Sequence, residues 1–512
     1  MAAKPKIILI HPPLAKIGEP PAGLARLAGC LKANGISHQA IDANAQGIHY
    51  LLGQTAPENE WPDRWSRRAG KNLHANIAAL QSIETYKNKS RYSRAAQDIN
   101  RVLQLAGKPY GVHLTFSDFT NTLLSPARSE DLLRAAQMPD NNPFYPYFSA
   151  RLRTLAQEGP QFVGFSVNYL SQALCAFAMI GFIKNTDSGI KIALGGSLVT
   201  SWAALGIGKE TFSGFVDEMI AGAGEEKLLQ LLGVRGGQTN CAPDYDVFAQ
   251  EMYLSPGFVL PYSASRGCYW RGCAFCPERA EENPYLPLSA ARVNQELPLL
   301  VKKYRPVLAH LLDNALSPAL LKNLSQNPPG APWYGFARIS GELADEDFCL
   351  SLRKSGCVML KLGIESGDQE VLDKLNKGIN LAEAAAALQA LKKAGIAAHV
   401  YLLFGTPQEN EASARKTLDF VVAHSGCIDF LNLAIFNLPV AAAAAQDLQT
   451  ENFYEGDLSL YRDFRHPAGW NRQNARTFLE KTFKKHPAVA PIVRRMPEFF
   501  TSNHAPFFSM NC

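Results

Sequence analysis

The sequence has no apolar run approaching the 18 or so residues that a membrane-spanning helix needs, no long block of basic residues, and no small-residue cleavage site after its short N-terminal apolar stretch. The first absence excludes a helical membrane span. The second removes the electrostatic footprint of a nucleic-acid binder, since the net charge of +5 is spread along the chain. The third leaves "MAAKPKIILIHPPLAKIG" to be read as a buried strand and not as a signal peptide. The expected compartment is therefore cytoplasmic, where the ten cysteines are thiols or metal ligands and not disulfides. There is no sequence repeat beyond an alternation of strand-like and helix-like segments. What is present is 47% hydrophobic and 19% charged, the balance of a globular protein with large cores, at a length that suits roughly two to four domains.

The alternation falls into two series. "KIILIHPP", "SHQAIDAN", "QFVGFSVNYL" and "KIALGGSLVT" read as buried strands, separated by segments with apolar residues at helical spacing. Residues 49–157 interrupt this series. They are polar, rich in Arg, Asn and Gln, and read as a helical insertion without strand signals. "VRGGQTNCAPDYDVF" is a Gly/Pro-rich linker. A second series follows, with strands "FVLPYSASR", "VLAHLLDN", "PWYGFAR", "CVMLKLGIES", "AAHVYLLFG" and "DFLNLAIFN". Six β/α units of this size predict an open, partial β/α barrel. The expected class is α/β: a Rossmann-like domain over 1–235 with the insertion at 49–157, a linker at 236–255, a partial barrel over 256–440, and a small, mostly helical region over 441–512. Ligands of such sheets lie beyond the carboxyl ends of the strands.

The first strand of the second series runs into "SRGCYWRGCAFCPER", which places Cys268, Cys273 and Cys276 within nine residues. The spacing is C-x4-C-x2-C, and the position faces the active site of a β/α barrel. Three readings are open: cysteines packed in a core, a zinc site whose fourth ligand comes from elsewhere, or three thiolates of a [4Fe–4S] cluster. Zinc structural sites use four protein ligands, and no C-x2-C pair or H-x3-H follows. Three thiolates on a four-iron cube leave one iron open to an exogenous ligand. The seven remaining cysteines (Cys30, Cys175, Cys241, Cys349, Cys357, Cys427 and Cys512) are scattered. They form no second cluster and read as packing residues.

These segments together resemble the radical S-adenosylmethionine enzymes that carry an N-terminal cobalamin-binding domain. The resemblance implies that Cys268, Cys273 and Cys276 hold a [4Fe–4S] cluster whose open iron takes the amino and carboxylate groups of S-adenosylmethionine. The family's common spacing is C-x3-C-x2-C, so this loop has one additional residue. "KLGIESGDQEVLDKLNKG" is similar to the family's fourth-strand segment and implies that Glu365 binds the ribose. "YLLFGTPQE" is similar to the fifth-strand segment along the adenine, through Gly405 and Pro407. By the same comparison Asp313 and Asn314 in "HLLDNAL" lie near the methionyl amine, and Arg338 pairs with the methionyl carboxylate, a geometry that arginine suits. Loop-capping polarity is the alternative for each of these three.

The first series resembles a cobalamin-binding fold. "IDANAQG" supplies Asp42 and Gly47, with Asn44 where the better-known motif has a histidine. "GFSVNYL" supplies Ser166, "LGGS" supplies Gly195 and Gly196, and "GAGEE" supplies Gly222, Gly224 and Glu225. Pro13 stands in a first loop typical of the family. Glycines are expected where backbone must approach a flat corrin closely. The missing histidine implies a lower cobalt face that is open or water-bound. The alternative is a degenerate Rossmann-like domain without a corrin.

The resemblance implies a radical S-adenosylmethionine methyltransferase that uses cobalamin, methylating an unactivated carbon through a 5′-deoxyadenosyl radical. It further implies an external electron donor such as flavodoxin or ferredoxin, and a small molecule or peptide as substrate. A radical cyclisation or rearrangement with the same cofactors, and a non-catalytic corrin or iron–sulfur sensor, are the alternatives.

Overall fold

In the computed structural model of the chain, which describes residues 6–54, 61–443, 448–453, 455–498 and 505–509, the α/β alternation resolves into two parallel sheets. One lies in each of two units, Met1–Ser255 with Tyr454–Leu460, and Pro256–Phe453 with Tyr461–Cys512. Among the described residues no helix is long and apolar enough to cross a membrane.

In the first unit, β1 (Ile7–His11), β2 (His38–Asp42), β3 (Phe162–Ser166), β4 (Lys191–Gly195) and β5 (Glu218–Ile220) form a sheet of order β2-β1-β3-β4-β5. All five residues of β1 are buried, as a central parallel strand with both faces covered must be. The direction of winding reverses between β1 and β3, and the carboxyl-end crevice of a doubly wound sheet lies at that point. The helices beside these strands are α1 (Ala22–Ala33), α2 (Ala43–Gly53), α3 (Leu170–Thr186), α4 (Ser197–Ala204) and α5 (Gly224–Leu231).

Every residue of α3 from Gln172 to Ile183 is buried. A helix that is apolar all round needs cover on every side. The insertion supplies it, because its helices Ser129–Gln137 and Tyr145–Gln157 pack on α3. The insertion is not wholly helical. Val112–Leu114 and Phe119–Asn121 form an antiparallel hairpin whose turn is held by Thr115 Oγ1, which accepts from the backbone N–H of Ser117 and Asp118. Strands of three residues are too short for an alternating pattern to stand out in the sequence. The segment read as a linker is packed as well. Cys241, Tyr245, Tyr253 and Leu254 are buried, and Asn34 Oδ1 accepts from the Gln238 N–H, so residues 236–255 belong to the first unit.

In the second unit, β6 (Val259–Tyr262), β7 (Leu308–Leu316), β8 (Trp333–Ala337), β9 (Cys357–Glu365), β10 (Ala397–Phe404) and β11 (Phe430–Ile435) pair in parallel, each with its neighbours in sequence. The helices between them start at side-chain caps. Ser289, Ser317, Asp345, Asn380 and Asn410 each accept a backbone N–H from the first turn. These caps fix where each βα loop ends, and the loops at the carboxyl ends are where sites of this architecture are built. The region beyond 440 is less helical than expected. Leu438–Pro439, Tyr461–Phe464 and Thr450–Asn452 form an antiparallel ribbon, ahead of a helix that begins at Arg472.

Gly181 of α3 tests the seating of the insertion. A Cβ at this position would lie 1.8 Å from Ala136 O. In an open helix interior Gly→Ala raises stability by roughly 0.5–1 kcal/mol. Here overpacking costs about 1–3 kcal/mol, so Gly181→Ala is expected to lower the urea midpoint. A raised midpoint would mean that the insertion does not press on α3.

Candidate active site

The cysteine loop leaves β6 at a fixed angle because a buried carboxylate holds its first residues. Asp313, on β7, accepts from the Ala264 N–H at 3.1 Å and from Ser265 Oγ at 2.5 Å, and burial pushes its carboxyl up from the usual range. Asp313 therefore positions the loop, while Asn314 beside it is exposed. Cys273 is buried; Cys268 and Cys276 are half-buried. Burial raises the Cys273 thiol, against the opposing charges of Lys377 and Arg338. Burial also pushes the Cys276 thiol up to about 11, against the backbone N–H groups of Glu278 and Arg279. Two nearby cations and two amide donors favour the thiolate, the form that binds iron, so the donor set fits a thiolate-ligated cluster.

The far side of the loop is clamped to the segment after β9. Ala274 N–H donates to Leu375 O, and Asn376 Nδ2 donates to Gly272 O, both at 2.9 Å. Trp270 Nε1 donates to Asn376 O at 3.2 Å. The indole covers Gly378, whose φ is +64° and where a Cβ would come within 2.1 Å of the ring. Arg338 follows β8. Its Nη1 lies 3.8 Å from Cys273 Sγ, its Nη2 donates to Lys377 O, and its guanidinium carbon is 4.2 Å from the Trp270 ring centroid. Glu365, at the end of β9 with φ +69°, pairs through Oε1 with Lys377 Nζ at 2.8 Å, both side chains being largely buried.

Arg338, Glu365 and Cys273 thus meet around one residue, Lys377, which the sequence reading did not single out. Trp270 and Asn376 were likewise missed, although all three lie inside the two segments that carried the resemblance. Four residues before Glu365 on β9, Lys361 is buried, with Nζ 3.0 Å from His310 Nε2; His310 stacks on Tyr334 at 4.4 Å. Nothing in the sequence marked these strand residues as polar interior.

Gly405 follows β10 with φ +75°, and its N–H donates to Glu409 Oε2; Pro407 is half-buried. Glu409 also accepts from Trp470 Nε1 at 3.0 Å, and His466 Nε2 lies 2.8 Å from Thr406 O. The segment around 466–470 is therefore docked on the loop after β10.

In the first unit the candidates divide. Asp42 caps α2 through Oδ1 and accepts from the Tyr253 hydroxyl through Oδ2. Asn44 Oδ1 accepts from the Ala15 N–H. A Cβ on Gly47 would meet the Phe144 ring at 2.9 Å, and Glu225 is buried against Arg26. Asp42, Gly47 and Glu225 thus each have a structural partner within the unit. Pro13, Ser166, Gly195, Gly196, Gly222 and Gly224 stand at the carboxyl ends of β1, β3, β4 and β5, as Asp42 does at that of β2. Gly196 has φ +109°, and a Cβ would strike Val167 O at 2.4 Å. A Cβ on Gly222 would meet nothing within 4 Å, so the backbone there is open to a ligand. Tyr169, the residue before α3, is exposed. Open backbone at Gly222 and the reversal of strand order between β1 and β3 are what this edge of the sheet offers a flat ligand such as a corrin.

Residues 262–421 match the family model described as the Radical SAM superfamily. Among curated proteins, the chain is 23% identical over 310 residues to an uncharacterized methyltransferase of Pyrococcus horikoshii, covering 53% of this chain and 66% of that protein. It is 25% identical over 206 residues to the anaerobic magnesium-protoporphyrin IX monomethyl ester cyclase of Rubrivivax gelatinosus, covering 38% and 36%. It is 30% identical over 177 residues to the bacteriochlorophyllide d C-12(1)-methyltransferase of Chlorobaculum tepidum, covering 32% and 37%. The chain spans at most 66% of the length of these relatives. Its fold is similar to that of the radical S-adenosylmethionine methyltransferase TsrM from Kitasatospora setae, solved with cobalamin and a [4Fe–4S] cluster bound. That match has a TM-score of 0.51 and 15% identity, over 85% of this chain and 75% of that one. It is also similar to the apo form of the cobalamin-dependent S-adenosylmethionine radical enzyme OxsB, with a TM-score of 0.53 and 12% identity, over 92% and 65%.

Glu409 supplies a pH test. Burial pushes its carboxyl up to about 7, against the two hydrogen bonds from Gly405 and Trp470. A carboxyl raised in the folded state stabilises fully below the unfolded value and loses that contribution as pH rises through the folded value. Wild-type Tm is thus expected to fall between about pH 5 and pH 8 relative to Glu409→Gln, which keeps a neutral acceptor. Parallel Tm profiles for the two proteins would contradict a protonated Glu409.

Proposed function

We propose that the chain, whose residues 262–421 match the Radical SAM superfamily model, is a cobalamin-dependent radical S-adenosylmethionine methyltransferase acting on an unactivated carbon. The observation that carries the reading is the set of three thiols on the loop after β6, facing Arg338 and the Lys377–Glu365 pair at the carboxyl ends of β8 and β9. Cys268, Cys273 and Cys276 would hold a [4Fe–4S] cluster. Pro13, Ser166, Gly195, Gly196, Gly222 and Gly224 would line a cobalamin site. When bound, these groups would supply an electron for cleaving S-adenosylmethionine to its 5′-deoxyadenosyl radical and a carrier for the transferred methyl group.

The chain's own residues bind, orient and exclude water. Asp313 fixes the start of the cysteine loop through Ser265 and Ala264. Lys377 anchors Oε1 of Glu365, and we assign Oε2 to the ribose hydroxyls. The turn at Gly405 and Pro407 would lie along the adenine, and Asn314 near the methionyl amine. Docking of His466 and Trp470 on residues 406–409 places an indole beside the adenine segment, where it would keep water from a radical.

Support for methyl transfer comes from the two curated methyltransferases and from the fold shared with TsrM. The cyclase among the relatives favours a second reading, a radical cyclisation with the same cofactors. A small molecule or peptide is the substrate we propose, with a flavodoxin or ferredoxin as electron donor.

Anaerobic reconstitution with iron, sulfide and hydroxocobalamin, followed by reduction in the presence of S-adenosylmethionine, tests the proposal. Wild type is expected to bind both cofactors and release 5′-deoxyadenosine. Cys268→Ala, Cys273→Ala and Cys276→Ala should each lose the cluster absorbance and that product. A substrate product bearing one added methyl group supports methyl transfer; turnover of S-adenosylmethionine without any methylated product points to the cyclisation.

A further inference from the structure

The loop between Cys268 and Cys273 has four residues, one more than the family's common spacing, and the structure gives that length a use. Arg271 turns back with φ 51°. Gly272 then passes beneath the indole of Trp270, so closely that a Cβ would lie 2.5 Å from Nε1. This turn lets Trp270 fold over Gly378 and bond to Asn376 O while the chain still reaches Cys273. One ring contact of Trp270 is the backbone at Gly378; another is the guanidinium of Arg338. Arg338 is 7% exposed, and besides the indole it touches Lys377 O, Cys273 Sγ and the Tyr269 hydroxyl.

From this geometry we infer that Arg338 is a positioning residue for the cluster. Locked by Trp270 and Lys377 O, it donates a hydrogen bond to the Cys273 thiolate and raises the cluster's reduction potential. The inference rests on the proposal that Cys268, Cys273 and Cys276 carry a [4Fe–4S] cluster. It reassigns Arg338 from the methionyl carboxylate, which the sequence had suggested, to a ligand sulfur. Reduction adds one electron to the cluster, and no bond forms or breaks. A cation held beside a ligand sulfur in a poorly solvated site stabilises that added charge far more than it would in water. Iron–sulfur potentials respond to cluster charge and to hydrogen bonds on the sulfurs. The stack is specific to arginine, because a lysine ammonium is a point charge without a planar face to lay on an indole. Trp270 matters through Arg338: it holds the guanidinium in one orientation without touching sulfur itself.

The test is a potentiometric titration of the reconstituted holoprotein, followed by electron paramagnetic resonance, with iron and sulfide content measured on every sample. Arg338→Gln is expected to shift the reduction equilibrium about tenfold toward the oxidised cluster, about 59 mV lower for a one-electron couple. Trp270→Ala is expected to shift it in the same direction by less. Arg338→Lys keeps the charge and loses the stack, and its potential should fall between wild type and Arg338→Gln. Should Arg338→Gln fail to take up a cluster, Arg338→Lys and Trp270→Phe carry the decision, Trp270→Phe retaining a ring and staying near the wild-type potential. Fully loaded Arg338→Gln or Arg338→Lys at the wild-type potential overturns the inference. So does a weaker affinity for S-adenosylmethionine with an unmoved potential, which restores the carboxylate assignment. Failure of the underlying cluster proposal looks different: Cys273→Ala would then keep the same iron and sulfide content as wild type.

Discussion

A loop of fifteen residues with three thiols has little regular structure between Gly267 and Cys276, and hydrogen bonds exchanged with Leu375 and Asn376 hold its sulfurs in place. The exchange runs both ways. The cysteine loop gives the Ala274 N–H and Trp270 Nε1 to carbonyls of the other segment, and receives Asn376 Nδ2 on Gly272 O. Each of these bonds is worth on the order of 1 kcal/mol by itself. Together they tie the end of β9, with Glu365 and Lys377, to the loop after β6. Two strands that are not neighbours in the sheet thereby share one site, and the half of the site that would bind a nucleoside cannot move without the half that would bind iron.

Much of the architecture was legible because it follows from period and punctuation. The strands of both sheets are short apolar runs, several of them closed by Pro, Gly or Asp as at Pro12, Asp42, Gly195 and Gly405, and the helices of the second unit open on Ser, Asp or Asn caps that can be read directly. The hairpin at 112–121 was not legible, since three-residue strands carry too little alternation. Residues 236–255 looked like a linker because Gly236, Gly237 and Pro243 fall in a stretch without clear periodicity, yet Asn34 and Asp42 hold them through Gln238 and Tyr253. Composition reports flexibility of an isolated segment, and tertiary contacts override it.

The site shows the same limit more sharply. Cysteine spacing and the Glu365 segment were visible, because both are local. The Arg338–Trp270–Gly378 stack was not, since it joins residues from three separate loops. Motif reading in the first unit could not see which candidates have partners within the chain. Asp42, Gly47 and Glu225 sit where a corrin motif would have them, but their side chain or bare backbone is occupied by Tyr253, Phe144 and Arg26. Of the glycines at the carboxyl ends of these strands, Gly222 has open backbone, while Gly195, Gly196 and Gly224 have neighbours within 4 Å; the crevice itself is made by the strand order.

The return of Tyr454–Leu460 to the first unit has a consequence for how the polypeptide can be divided. Arg128 binds Glu455, the Ser129 N–H donates to Asp457, and the Leu458 N–H donates to Ala127 O. The chain therefore crosses between units near residue 255, near 453 and again near 460. No single scission yields two pieces that each hold all of their own unit. Expressed alone, the first 255 residues would lack the strand of chain that covers Ala127 and Arg128, and the remainder would carry it without its partner. Reassembly from two halves would have to rebuild that contact between molecules, at the mercy of their concentration.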